Sequence, residues 1–146
     1  MKRHLFVLLI AVLAAGCASA SATFTPINQE KWVQKTLTGT WNGYIKDTPY
    51  ARVGYNTPKL QIFGVERTVN GGWFIDLYLN GRKIIDAAEL TVYKNNVIIE
   101  FIEHYSNIVI FYRLVLDNSN HRLVGHIWFK TRSFRPHEIT FDKVVA

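Results

Sequence analysis

Trp73-Phe74-Ile75-Asp76-Leu77-Tyr78-Leu79-Asn80-Gly81-Arg82-Lys83 decides the reading of this chain. Bulky apolar residues recur at every second position from Trp73 to Leu79, as in a strand with one buried face. Asn80-Gly81 then supplies the two left-handed residues of a tight hairpin turn, so the chain folds back antiparallel. The pattern continues on both sides. Asn70-Gly71 precedes the strand as a second such turn. Asn95-Asn96, Ser106-Asn107 and the loop Asp117-Asn118-Ser119-Asn120 cut the C-terminal half into further strands.

Pairing outward from these turns sets a register. It places Thr68 opposite Trp73, Leu79 opposite Arg82, Lys94 opposite Val97, Tyr105 opposite Ile108 and Leu116 opposite His121. One face then collects Leu60, Ile62, Gly64, Ile75, Leu77, Ile84, Leu90, Val97, Ile99, Phe101, Ile110, Leu114, Leu123, Ile127 and Phe129. Gly125 falls opposite Tyr112 in this register and reads as room made for its ring. Only Asn28 to Lys35 has helical character, with Asn28 as its N-cap. The expected fold is all-β: an antiparallel up-and-down barrel of about eight strands with a short N-terminal helix.

Composition agrees. The chain has 146 residues, 49% hydrophobic and 14% aromatic, which is enough for one domain with a core and excludes disorder. Its net charge is +6, and Lys2 and Arg3 of the leader contribute to it. Without a basic run, that charge does not mark a nucleic-acid binder. The single cysteine excludes an internal disulfide.

The N-terminus carries an address. Lys2-Arg3 precedes an apolar run from Leu5 to Ala15, shorter than the roughly 20 residues that span a bilayer, and small residues follow. Residues 1–16 read as a signal peptide, 17–27 as a tether and 28–146 as the folded domain. Ala14-Ala15-Gly16-Cys17 resembles a bacterial lipobox, although Leu13 stands one place early. That resemblance implies lipidation of Cys17. With Ala18 rather than Asp after it, the resemblance also implies an outer-membrane lipoprotein facing the periplasm. Ala18-Ser19-Ala20 suits ordinary signal peptidase instead, which would leave a soluble periplasmic or secreted protein.

Leu37-Thr38-Gly39-Thr40-Trp41, after a short helix and at the start of the first strand, resembles the Gly-x-Trp signature of lipocalins and related calycin barrels. The resemblance implies that Trp41 plugs the closed end of a barrel. It also implies that a basic residue near the last strand packs across it, with Lys143, Arg135 and Arg132 as candidates. Leu123-Val124-Gly125-His126 is similar to the penultimate strand of avidin-like calycins. Asn42-Gly43-Tyr44-Ile45, however, lacks the polar pattern with which those proteins grip biotin.

Two functions of different kinds follow. In the first, the barrel binds a small hydrophobic or amphipathic molecule without catalysis. Trp41, Trp73, Ile75, Phe101, Ile110, Tyr112, Ile127 and Phe129 line it, and Asp86, Glu103 and Tyr105 offer polar contacts. Glu66, Asp86 and Glu103 converge on one zone of the inward face in the deduced register, with Arg82 as a neutralising neighbour. The second function belongs to a filled barrel, an envelope interaction or inhibitor-like protein that meets a homodimer mate or another envelope protein. It acts through an apolar outer patch including Ile102, Val109, Phe111 and Trp128. The N-terminal helix and the tail Val144-Val145 are alternative covers for that patch. Glu100 faces Arg113 on the same outer surface. No nucleophile–base pair, phosphate loop or metal-ligand spacing is present in the sequence, so no enzymatic activity, cofactor or metal is expected.

Overall fold

The computed structural model describes residues 26–46, 57–117, 119–130 and 135–145. Cys17, the leader, the tether up to residue 25 and Arg132 lie outside the described residues. A helix, α1 (Pro26–Leu37), leads into nine strands. These are β1 (Gly39–Ile45), β2 (Lys59–Arg67), β3 (Trp73–Leu79), β4 (Arg82–Lys83), β5 (Glu89–Tyr93), β6 (Asn96–Tyr105), β7 (Ile108–Leu116), β8 (Arg122–Phe129) and β9 (His137–Lys143). They form one antiparallel sheet in the order β4-β3-β2-β1-β9-β8-β7-β6-β5. The all-β class and the short N-terminal helix are as expected.

The helix begins at Pro26, so Asn28 lies inside it rather than capping it. Proline suits the first turn of a helix, where its missing N–H would have no intrahelical acceptor. At the other end, Thr38 N–H donates to Gln34 O, and Gly39 turns the chain into β1 at φ +134°, a backbone value that side chains other than glycine rarely adopt.

The sheet curls, but its hydrogen-bonded ladder does not close. β3 and β5 approach each other with no ladder between them. The cause is local. β4 is only two residues long, and the chain then leaves extended geometry through Ile84–Ala88, with Ala87 at φ 48°. The expected closed barrel is therefore corrected to an open nine-stranded sheet with a seam.

The inward face matches the sequence reading closely. Ile99, Leu114 and Leu123 are fully buried, while Phe111 and Val124 face outward. Three turns differ from the deduced pairing. Tyr93 pairs with Asn96 around Lys94-Asn95, and Leu116 pairs with Leu123, each two residues from the expected partner. A shift of two keeps every side chain on its face. The third difference is a shift of one: Arg67, not Thr68, opposes Trp73. A bulge between Ile62 and Gly64 absorbs it. Val65 consequently takes the buried position expected for Gly64, and Glu66 is turned to solvent.

Gly125 also has a different partner and a different reason. It lies opposite Leu114, and Tyr112 lies opposite Ile127. A Cβ on Gly125 would run into the backbone carbonyl of Arg113, so the glycine makes room for neighbouring main chain rather than for a ring.

Candidate functional site

The interior is built from the expected residues, packed against one another. Trp41, Phe101 and Ile127 are essentially without accessible surface, and Ile75, Ile110, Tyr112 and Phe129 are buried beside them. Phe101 and Tyr112, cross-strand partners on β6 and β7, stack with ring centroids 4.4 Å apart and 10° between planes. A side chain facing an internal void of water size would retain accessible surface. The central side chains of this sheet retain almost none. Trp73 and Tyr105 are half-buried, at the periphery of the core.

One end of the core is stoppered by α1. Val33 and Leu37 point inward and are fully buried. The Trp41 indole N–H donates to Leu37 O at 2.9 Å. Of the three basic residues considered for the position across Trp41, Lys143 occupies it: its Nζ lies 5.4 Å from the ring centroid, within cation–π range. The same ammonium donates to Lys35 O at 3.1 Å and to Thr36 O, satisfying carbonyls that the helix end leaves without partners. Burial holds its pKa below the usual lysine value. Arg135 is exposed near the start of β9, at the other end of that strand.

The polar zone differs from expectation. Three carboxylates do not converge. Glu66 faces solvent because of the bulge, and Asp86 lies on the exposed stretch after β4, with its Oδ2 3.0 Å from His104 Nε2. The expected inward position of Asp86 fails because Ile84–Ala88 does not continue as a strand, so the alternation that carried Asp86 inward stops. Glu103 alone is buried, 4% exposed, and accepts a 2.7 Å hydrogen bond from the Tyr112 hydroxyl. Burial raises its pKa, while the Tyr112 hydrogen bond and the Arg82 charge pull the other way. Arg82 itself lies over the Tyr105 ring at 5.0 Å. Glu103 lines a cavity of about 250 Å³ at the seam together with Arg82, Ile84, Ile85, Asp86, Ile102 and His104, so Asp86 and Glu103 border one cavity and Glu66 does not. Among the described residues no three His, Cys, Asp or Glu side chains gather as a metal set.

The outer wall carries the patch read from the sequence. Ile102, Phe111 and Trp128 sit side by side on β6, β7 and β8, and Val109 opposes His104 one step along. Phe111 is 38% exposed, and Ile102, Val109 and Trp128 are half-buried. Neither proposed cover reaches them: α1 stoppers one end, and Val144 N–H donates to Thr40 O beside β1. A groove of about 460 Å³ runs over this surface between Phe111 and Trp128 on one side and Glu89, Glu100 and Arg113 on the other. Glu100 and Arg113 are paired at 3.9 Å, as their facing positions imply.

The bulge, the Asp86–His104 contact and the stacking of Arg82 on Tyr105 were not read from the sequence. Only the bulge left a signal there: Phe63-Gly64-Val65 offers an apolar residue on either side of a glycine, so either parity can be buried.

A scan against protein-family models found no match, and a search of curated proteins returned no significant one.

Proposed function

We propose that this chain is a non-catalytic envelope lipoprotein that binds a protein partner through the outer face of β6, β7 and β8. One observation carries the reading. The large interior side chains are spent on packing one another, while Phe111, at 38% exposure, stands beside Trp128 over an open groove. A well-packed interior offers a ligand little room, whereas an uncovered apolar wall with a charged border has the composition of a binding surface. The Cys17 lipobox resemblance supports attachment to the outer membrane facing the periplasm. The Trp41–Lys143 pair supports kinship in design with calycin barrels, since it reproduces the packing that the Gly39-x-Trp41 resemblance implied.

The test is site-specific photocrosslinking from position 111 in the host envelope. A discrete adduct is expected, with either an envelope protein or a second copy, and Phe111→Asp should abolish co-purification of that partner. Absence of any adduct, with unchanged co-purification in Phe111→Asp, would refute the reading.

The seam cavity favours a second reading, binding of a small amphipathic ligand. Its lining includes the buried carboxylate of Glu103, to which the Tyr112 hydroxyl donates, and its walls are partly apolar. At about 250 Å³ it lies below the roughly 300–1,000 Å³ of ordinary ligand pockets, which ranks it second.

A further inference from the structure

The stoppered end of the sheet is tied together by side-chain hydrogen bonds and carries exposed basic residues. Gln29 Nε2 of α1 donates to Lys94 O in the β5–β6 turn, and Arg67 N–H at the end of β2 donates to Glu30 Oε1. These contacts gather α1, the β2–β3 loop and the β5–β6 turn at one end of the molecule. Lys31 and Lys35, one helical turn apart, are both exposed there, and so are Arg67 and Lys94. Val69 at the tip of the β2–β3 loop is fully exposed, and Tyr93 beside Lys94 is 66% exposed. Glu30, the acidic residue of α1, is engaged by the Arg67 N–H and lies 3.4 Å from Gln34 Nε2.

The chain enters the fold at this same end. Eight residues separate Cys17 from Pro26, a reach of about 30 Å when fully extended. If Cys17 holds a lipid, the first surface within reach of the bilayer is the one bearing these four cations and two apolar tips.

We propose that this end docks on an anionic lipid surface, with Lys31, Lys35, Arg67 and Lys94 over the headgroups and Val69 and Tyr93 entering the interface. Peripheral anchoring by one lipid signal gains from a second, electrostatic one, and basic side chains near an anionic leaflet act additively. A tyrosine and a valine at turn tips suit the interface, where an aromatic ring is accommodated with its polar end wet. Docking in this pose leaves the Phe111 wall on the side of the domain, free for a partner. The inference rests on the reading of Cys17 as the lipidated residue.

The experiment uses the soluble Cys17→Ser protein in vesicle flotation at low ionic strength. Vesicles contain phosphatidylcholine alone or with 30% phosphatidylglycerol. Flotation with the anionic vesicles only is expected, weakening as salt is added. Lys31→Glu/Lys94→Glu should weaken it about tenfold or more. Lys130→Glu/Arg135→Glu makes the same change in net charge at the opposite end of the sheet and should have little effect. Circular dichroism checks that each variant is folded. Equal losses in the two double variants, or no preference for anionic vesicles, would overturn the proposal. Intact mass of the wild-type protein reads Cys17 separately. An unmodified Cys17 removes the tether and overturns the docking, and it leaves the crosslinking test at Phe111 untouched.

Discussion

Phe101 and Phe111 lie on adjacent strands, one pair apart in register, yet they face opposite sides of the sheet. Truncating each to alanine therefore separates a packed interior from a working exterior. Phe101 is 1% exposed and stacks on Tyr112, whose hydroxyl in turn holds Glu103. Removing a fully buried phenyl ring forfeits its transfer energy and leaves a cavity, about 3–5 kcal/mol in all. Loss of the stack is part of that figure. Phe111 keeps more than a third of its surface in water, and its truncation should cost about 1–2 kcal/mol. Equilibrium urea unfolding of Phe101→Ala and Phe111→Ala, followed by tryptophan fluorescence, reads both. The midpoint should fall steeply for the first and slightly for the second, with similar slopes. A cost below about 1.5 kcal/mol for Phe101→Ala would refute the packed interior, since a side chain lining an open cup loses far less on truncation.

Glu103→Gln keeps an acceptor for Tyr112 while removing the buried charge. The folded-state pKa of Glu103 lies above its usual value, so the wild type gains its full contribution at pH below that usual value and loses it as pH rises through the raised one. The variant should melt close to the wild type at pH 4 and above it at pH 8; a variant less stable at pH 8 contradicts the assignment. Lys143→Met leaves the carbonyls of Lys35 and Thr36 without their donor and uncovers the Trp41 ring, which should lower stability by about 1–2 kcal/mol in thermal melts. Gly125→Ala sets a methyl group against the Arg113 carbonyl and should destabilise the β7–β8 pair, seen as faster amide exchange at Leu114 and Gly125. Unchanged protection there would mean that the strands accommodate the methyl group without loosening, against this reading.

Most of the architecture was legible because turn chemistry and two-residue alternation report the same thing. Asn80-Gly81 takes the left-handed conformation at both residues, and Leu79 pairs with Arg82 as deduced. Errors of two residues at Lys94 and Leu116 were harmless, since parity survived them. The bulge before Gly64 was not legible in that way, because a single inserted residue changes parity without a turn residue to announce it. That one residue moved Glu66 out of the candidate site. Closure was overestimated for a related reason. Ile84, Ala88 and Leu90 fall on one parity, but alternation does not reveal that the strand stops at Lys83 or that Ala87 adopts a positive φ before β5 begins. Asp86 became exposed as a result, at the rim of the cavity that Glu103 also lines. The Trp41 partner was narrowed to three residues by sequence and to Lys143 only by register, through the pairing of Trp41 with Lys143 across β1 and β9.

The central claim is that the interior of this sheet is occupied by its own side chains and that recognition takes place on the outside. Native mass spectrometry of the protein extracted from its own envelope tests it most directly. The account predicts the polypeptide with its Cys17 modification, alone or with a protein partner. A small molecule retained in one-to-one ratio, and lost on Phe101→Ala but not on Phe111→Asp, would contradict it.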